Sequence, residues 1–115
     1  MAHDPECLFC KIVAGRIPSR KAYEDGEMLA FHDIAPWAPV HVLIIPKEHI
    51  AGFYEVGEEH TGLLGRMFAK APVLMRGLGV GNGFRTLVNT GADGLQEVPH
   101  FHIHVMGGPR PWTKG

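Results

Sequence analysis

Several features that would place a protein in a specialised class are scarce or missing in this sequence. No apolar run approaches the roughly 18 residues that a membrane-spanning helix needs. The start of the chain has no basic stretch followed by an apolar core, so we expect no secretory signal and a cytoplasmic location. There are only two cysteines, and 115 residues can bury a core without disulfide staples.

An excess of charge is also lacking. Eleven basic and twelve acidic residues are scattered along the chain and leave a net charge of −1. That balance predicts no binding to a nucleic-acid polymer, although a small anion remains open because a few backbone N–H groups can hold one. We find no repeat, low-complexity segment or linker, and therefore predict a single domain over residues 1–115.

Histidine is abundant, with eight in the chain, and three of them alternate with apolar residues in His100–Met106. As a strand, this segment would place imidazoles on one face and Phe101, Ile103 and Val105 on the other. At roughly 3.3 Å per residue, the Cα atoms of the first and third histidines would be about 13 Å apart, too far to share one metal easily. We therefore predict different roles for the three. The alternative is a histidine-rich metal-binding tract or a tag, but such tracts do not alternate with β-branched and aromatic residues.

The His100–Val105 motif resembles the His-x-His-x-His-x signature of the histidine triad family of nucleotide hydrolases and transferases. Further blocks match in the order that the family uses, so that the resemblance covers about residues 7–112: Phe31–Pro36, His41–His49, Val88–Glu97, Gly107–Gly108 and Trp112. The likeness is to the Hint branch, the purine nucleoside phosphoramidases. It implies an α+β fold with a five-stranded antiparallel sheet, one long and one short helix, and two protomers in a dimer.

The segment Cys7–Val13 predicts a short helix or turn that ends near Ala14–Gly15. Its Cys-x-x-Cys spacing fits a zinc half-site, a redox motif or two unrelated cysteines. Some histidine triad relatives, including the galactose-1-phosphate uridylyltransferase branch, have a Cys₂His₂ zinc site that uses the first histidine of the triad. The resemblance thus implies a structural zinc, within an N-terminal segment of about residues 7–14, with four ligands: Cys7, Cys10, His49 and His100.

Residues Lys21–Glu24 and Glu27–Asp33 predict a hairpin that turns at Asp25–Gly26. Asp33 then precedes a proline-rich loop, where an aspartate is by default a turn residue. The family pattern implies instead that Asp33 accepts hydrogen bonds from ribose hydroxyls. By the same resemblance, the candidate nucleotide-binding residues are Phe31, His32, Asp33, Ile34, Leu43, Asn89, Leu95, Gln96, Glu97 and Trp112.

The run Val40–Ile45 is too apolar for a solvated face and predicts a central strand. His41 within it fits a satisfied core residue, while its family counterpart supports the triad. The long helical pattern covers Glu58–Gly77, where Pro72 should bend or split the helix near Phe68. His60, near the helix start, is expected at the surface.

Phe84–Asn89 predicts a further strand, followed by a glycine-containing loop to Val98. The loop fits a plain connection or, placed just before the histidines, an anion nest formed with Gly91 and Gly94. The resemblance implies phosphate contacts by Asn89, Leu95 and Glu97. Glu97 stands where animal Hint proteins have serine, which favours a backbone contact there.

These residues suggest a chemistry. A neutral imidazole is a good nucleophile for phosphorus, so we predict that His102 attacks the α-phosphorus of a purine nucleoside phosphoramidate. Its other nitrogen should donate to a backbone carbonyl nearby. His104 would bind a phosphate oxygen or the leaving group, His41 would support it, and no Mg²⁺ would be required.

Two other functions remain open. One is a dinucleoside polyphosphate hydrolase of the same superfamily, and the other is a zinc-stabilised nucleotide-binding adaptor without catalysis. In Hint proteins the C-terminal segment reaches the partner's site. We therefore expect a homodimer with a specificity tail at about residues 107–115 and Trp112 near the partner's pocket; the alternative is a frayed tail.

Overall fold

Five antiparallel strands, in the spatial order β1-β2-β3-β5-β4, form a sheet in the computed structural model, which describes residues 3–114. The strands are β1 (Lys21–Glu24), β2 (Met28–His32), β3 (Val40–Pro46), β4 (Phe84–Leu87) and β5 (Ile103–Gly107). Within the described residues the short helix is α1 (Leu8–Val13) and the long helix is α2 (Thr61–Gly77). This architecture confirms the predicted α+β fold and its five-stranded sheet.

The β1–β2 hairpin forms because Asp25 can satisfy the turn with its own side chain. Its Oδ1 accepts hydrogen bonds from the backbone N–H groups of Glu27 (2.8 Å) and Met28 (3.0 Å). Such local bonds are the reason that aspartate favours turns. The hairpin lies where the sequence predicts it and brings His32 and Asp33 to the end of β2.

The two faces of the sheet bury different side chains. On one face, Ala30, Ile44 and Val105 pack with the apolar stripe of α2. On the other face, Phe31 and Leu43 pack with α1. Because successive residues of a strand point to opposite faces, the central strands β2 and β3 are apolar on both sides. His41 and His104 face away from α2, since their neighbours on β3 and β5 pack against that helix.

Helix α2 runs from Thr61 to Gly77 with Pro72 inside it, so of the two expected outcomes, a bend or a split near Phe68, the split is wrong. A proline in a helix removes one backbone donor. Here Ala71 and Met75, on either side of Pro72, are both buried against the sheet, and this packing holds the two halves of the helix together. Across residues 3–114, no helix combines the length and the apolar character that crossing a membrane would take.

His60 is buried, with 8% of its surface exposed, contrary to the expectation of a surface position. Its Nδ1 accepts a hydrogen bond from the backbone N–H of Gly57 at 2.9 Å, and its Nε2 lies 3.2 Å from Glu48 Oε2. Both partners come from outside the helical repeat, which is why periodicity could not identify them.

Strand β5 begins at Ile103, three residues later than expected. The imidazole of His100 donates a hydrogen bond from Nε2 to the Pro46 carbonyl oxygen at 2.8 Å, and the Phe101 N–H donates to Ile50 O at 2.6 Å. These two bonds take the place of the backbone hydrogen bonds between β3 and β5 at this end of β3. The alternation of sides nevertheless continues, because Phe101 is in the core with Ile103 and Val105.

Gly107 tests how closely the sheet packs beside this segment. A Cβ built on Gly107 would lie 2.6 Å from Val80 Cγ1 and 3.2 Å from Phe84 Cβ. We expect Gly107→Ala to lower the free energy of unfolding by about 1–3 kcal/mol because of this overpacking. The measurement is urea denaturation.

Gly65→Ala in α2 is the matched control, since nothing lies within 4 Å of a Cβ there. It should raise stability by roughly 0.5–1 kcal/mol, because alanine favours a helix over glycine. Equal effects of the two substitutions would contradict the packing argument.

Candidate active site and metal centre

The titratable side chains of the site lie on the sheet face opposite α2 and form two clusters with His102 between them. The first cluster is Cys7, Cys10, His49 and His100, and the second is Asp33, His41 and His104. The ring of His102 packs against His104, with centroids 5.0 Å apart. The three triad histidines thus occupy different positions, as their spacing predicts.

In the first cluster, the four potential ligand atoms lie within 4.8 Å of one another. His100 Nδ1 is 3.3 Å from Cys7 Sγ and 3.6 Å from Cys10 Sγ. His49 Nδ1 is 3.4 Å from Cys10 Sγ and 3.3 Å from His100 Nδ1. Two sulfur and two nitrogen atoms that converge in this way match the donor set of a tetrahedral Cys₂His₂ metal site.

The proton on His100 also fits a metal. A carbonyl oxygen can only accept, so the 2.8 Å contact with Pro46 O means that His100 Nε2 carries the proton and donates it. The lone pair on Nδ1 is then free and points at the cysteines, which is the usual arrangement of a metal-ligating histidine. Burial raises the pKa of the Cys10 thiol, a cost that a bound cation would offset.

His102 is held by a backbone carbonyl, as expected. Its Nδ1 donates to the carbonyl oxygen of His100 at 2.7 Å, which leaves Nε2 as the unprotonated nitrogen. Phe9, which lies between the two cysteines, packs edge-on against the His102 ring with centroids 5.2 Å apart. The ring is therefore fixed by α1 on one side and by His104 on the other.

In the second cluster, the hydrogen bonds make His41 the donor and His104 the acceptor. The backbone N–H of Trp37 donates to His41 Nδ1 at 3.0 Å, so neutral His41 carries its proton on Nε2. That Nε2 donates to His104 Nδ1 at 2.9 Å. His104 must then carry its own proton on Nε2, which is buried and has no partner among the described residues.

This direction argues against a metal ion on Asp33, His41 and His104, although the three lie close together. A metal on His41 Nε2 would require its proton to move to Nδ1, where it would face the Trp37 N–H. Asp33 Oδ2 is 3.6 Å from His41 Nε2 and reinforces the protonated nitrogen electrostatically. The second cluster is thus a chain of hydrogen bonds that ends on a free donor.

Burial keeps His41, His102 and His104 neutral. It lowers the pKa of His102 and of His41, in the latter case against the opposing effect of Asp33. Burial, together with the neighbouring His102 and His41, lowers the pKa of His104 to about 4. At neutral pH the nucleophilic lone pair of His102 is therefore available, and the placement of protons governs what each ring can do.

The candidate nucleotide residues border this site from two directions. Phe31, Leu43 and His104 are consecutive cross-strand partners on β2, β3 and β5, so the apolar pair leads directly to the histidine. Asp33 accepts the N–H of Ala35 at 2.8 Å, and the Ile34 side chain is fully exposed. One carboxylate oxygen of Asp33 thus forms a turn bond of the default kind, while the other faces His41.

The loop from Asn89 to Val98 is held by the side chain of Gln96. Its Nε2 donates to Ala51 O (2.8 Å) and Val98 O (2.9 Å), and its Oε1 accepts the N–H of Gly91 (3.0 Å). The Gln96 side chain therefore shapes the loop through three hydrogen bonds within the chain. Leu95 is 77% exposed with a positive φ of 59°. Glu97 is exposed too.

Trp112 lies on another part of the surface, in a cleft lined by the loop after α2 and by the segment after β5. Its Nε1 donates to Gly108 O at 3.0 Å, and the Arg110 guanidinium lies 3.6 Å from the ring centroid. These contacts order the tail within its own chain.

Sequence reasoning missed two residues of the site, Phe9 and Trp37. The position of Phe9 between Cys7 and Cys10 could have indicated it. If both cysteines contact His100, the residue between them in α1 also lies close to the triad. Trp37 had no such signal, since it acts on His41 through its backbone N–H.

Comparison with known proteins agrees with this geometry. Residues 6–114 match the family model described as the scavenger mRNA decapping enzyme C-terminal binding family. The chain is 52% identical over 103 residues to protein HitA of Neisseria gonorrhoeae, covering 90% of this chain and 96% of HitA. It is 41% identical over 113 residues to a 14 kDa zinc-binding protein of Brassica juncea, covering 96% and 100%.

Two further matches are with named hydrolytic proteins. Adenylylsulfatase HINT1 of Arabidopsis thaliana is 40% identical over 115 residues, covering 97% of this chain and 78% of HINT1. The crystal structure of a HIT family hydrolase from Legionella pneumophila superposes with a TM-score of 0.88 at 43% identity, covering 91% and 95%. The fold and site define a histidine triad type of α+β protein. This chain belongs to the HIT family of hydrolases.

The burial of His104 predicts a pH-dependent stability. Its pKa is about 4 in the folded chain and about 6.5 in the unfolded chain, so the unfolded state binds protons first as the pH falls. Stability is then fully present above about pH 6.5 and is lost towards pH 4, by at most roughly 1.4 kcal/mol per pH unit for this group.

We expect His104→Asn to reduce this slope, as measured by urea unfolding at a series of pH values from 7 to about 5. The remaining slope includes His41, His100 and His102, whose pKa values burial also lowers. Parallel curves for the two proteins would refute the assignment to His104.

Proposed function

We propose that this protein hydrolyses the P–N bond of purine nucleoside 5′-phosphoramidates through a nucleotidyl-histidine intermediate on His102. The observation that carries the proposal is the hydrogen bond from His102 Nδ1 to His100 O, which leaves Nε2 unprotonated beside the unpartnered Nε2–H of His104. One ring presents a lone pair and the next presents a proton. The transfer of a phosphoryl group from the substrate amine to His102 needs both, a lone pair to attack phosphorus and a hydrogen-bond donor for the phosphate or the leaving group.

In the proposed reaction His102 Nε2 forms a bond to the α-phosphorus as the bond from phosphorus to the amine breaks. The departing amine takes up a proton. That proton comes from solvent water, and the neutral His104 ring donates its Nε2–H as a hydrogen bond to a phosphate oxygen or to the leaving group. Water then attacks the same phosphorus, which releases the nucleoside monophosphate and restores His102.

The nucleotide is proposed to lie along the row from Phe31 to His104. The free oxygen of Asp33 is suited to the ribose hydroxyls, and the exposed Ile34 to the base. In the loop the N–H groups of Gly91 and Leu95 already donate to Gln96 Oε1 and Ala92 O, so the backbone of the exposed Glu97 is proposed to contact the phosphate. Asn89 lies at the start of this loop.

A related leaving group is the second candidate. The Arabidopsis relative is named an adenylylsulfatase, which suggests a nucleotide joined to sulfate instead of an amine. The intermediate on His102 would be the same, so only the departing group distinguishes the two, as it does for dinucleoside polyphosphates.

The direct test is the intact mass of the protein, quenched shortly after mixing with adenosine 5′-phosphoramidate. We expect the mass to rise by one adenylyl group and then to return as the substrate is consumed. His102→Ala should abolish both the mass change and turnover, because the attacking lone pair is that of His102 Nε2.

The exposed His3 supplies a matched control, and His3→Ala should keep both signals. Nucleotide binding without any adenylyl-protein would instead select the non-catalytic adaptor. Faster turnover of adenylyl sulfate or diadenosine polyphosphates than of the amidate would reassign the substrate.

We also propose a structural zinc ion held by Cys7, Cys10, His49 and His100. Support comes from the converging ligand atoms, from the Nδ1 lone pair of His100 and from the zinc-binding relative in Brassica juncea. When bound, the ion would supply folding energy by fixing α1 against the sheet. The reaction on His102 would use no ion.

Zinc analysis of the purified protein should find about one ion per chain, and Cys10→Ser should remove most of it. Because the ion would link α1 to His49 and His100, its loss should lower Tm by about 5 °C or more for each kcal/mol of binding energy. A strong chelator should do the same to the wild-type chain. A metal-free protein whose Tm ignores the chelator would overturn the zinc proposal and leave the phosphoramidase proposal standing.

We propose that a second copy of the chain binds beside the edge strand β4. Phe84 and Arg85 of that strand line the same cleft as Trp112. A copy that met β4 would therefore also meet Trp112, consistent with the expected role of the tail. For location, we propose the cytoplasm, a reducing compartment where Cys7 and Cys10 would stay available to a metal.

A further inference from the structure

Trp37, in the loop between β2 and β3, contacts both histidines of the hydrogen-bonded chain. Its backbone N–H donates to His41 Nδ1 at 3.0 Å. Its indole stacks on the His104 ring, with centroids 5.5 Å apart and planes 17° apart, and meets the His41 ring at 5.6 Å and 66°. One residue thus touches His41 and His104 by two different means.

We propose that Trp37 is a positioning residue that sets the direction of proton donation through His41 to His104. The inference rests on the proposed function, because it concerns the proton that His104 offers to a bound phosphate or leaving group. The backbone N–H of Trp37 determines which nitrogen of His41 carries the proton, and the indole limits rotation of the His104 ring.

The first role follows from the two tautomers of neutral His41. With the Trp37 N–H in place, a proton on His41 Nδ1 would face another donor, so the proton stays on Nε2. Without that N–H, His41 could carry its proton on Nδ1 and accept with Nε2. His104 would then donate through Nδ1, and its Nε2 would lose the proton that points into the site.

The second role follows from the unpartnered Nε2–H of His104. A buried donor without a partner favours any ring rotation that brings it to an acceptor. The indole lies flat against one face of the ring and blocks that rotation. The hydrogen bond from His41 to His104 Nδ1 also opposes this rotation, so the donor stays directed at the space beside His102.

Trp37 is itself held from the C-terminal tail. Its carbonyl oxygen accepts the backbone N–H of Lys114 at 3.3 Å, and the Lys114 ammonium lies 5.0 Å from the indole centroid. The loop is therefore fixed at the two ends of one residue, by His41 at its N–H and by Lys114 at its carbonyl. The position of Trp37, and with it the hydrogen bond to His41, is therefore stabilised by the C-terminal tail.

The first measurement uses the unmodified protein. Nitrogen-15 NMR of the imidazoles at neutral pH should show His41 and His104 both protonated on Nε2, and His102 protonated on Nδ1. The opposite tautomer of His41 or His104 would overturn the inference without any variant having to fold. The result does not depend on any substrate.

The second measurement separates the N–H from the indole. Trp37→Pro removes the donor, and it should change the His41 tautomer and lower kcat for adenosine phosphoramidate by about 10²-fold with a much smaller change in KM. Trp37→Ala keeps the donor, so the His41 tautomer should persist while kcat falls. Trp37→Phe, which restores a flat ring, should recover most of that loss.

Tyr54→Ala is the matched aromatic control, since Tyr54 is 87% exposed, and its kinetics should equal those of the wild type. Wild-type kcat in both Trp37→Pro and Trp37→Ala would show that Trp37 only fills space and would overturn the inference. If the wild-type chain itself forms no adenylyl-histidine, the proposed function fails, whereas the tautomer measurement still decides whether Trp37 sets the proton on His41.

Discussion

The hydrogen bond from His102 Nδ1 to the carbonyl oxygen of His100 is the contact on which the rest of the site depends. His100 contributes its side chain to the cysteine and histidine cluster and its backbone to the orientation of His102. Any displacement of that cluster would therefore move the acceptor that fixes His102. Phe9 adds a second connection, because it lies on the helix that carries Cys10 and packs against the His102 ring.

The two clusters show how the partner of one ring nitrogen determines the use of the other. His100 donates to Pro46 O through Nε2 and so presents a lone pair to two thiols. His41 accepts from a backbone N–H and so passes a proton onward to His104. Neighbouring histidines of the same protein are thus suited to metal ligation in one case and to proton donation in the other.

Local patterns accounted for much of the architecture. The alternation after His100, the Asp25–Gly26 turn and the apolar run of β3 all follow from side chains that are neighbours in the chain, and the structure has each of them. Expectations failed where a distant contact intervened. Packing on the sheet keeps α2 continuous at Pro72, and His60 is buried against Glu48. The His100 side chain bonds to Pro46 O, and β5 begins only at Ile103.

By itself the sequence determined which face of each strand is apolar and which residue types share a side, because the two-residue period of a strand is a local property. It also placed two cysteines at a spacing that one ion can bridge. Only the tertiary structure decided that His49 and His100 meet those cysteines, across 39 and 90 residues of chain. The tertiary structure also decided which nitrogen of each imidazole carries the proton. The partners responsible are backbone groups of Pro46, His100 and Trp37, and every residue has such groups, so the amino-acid sequence does not reveal which of them will meet a histidine.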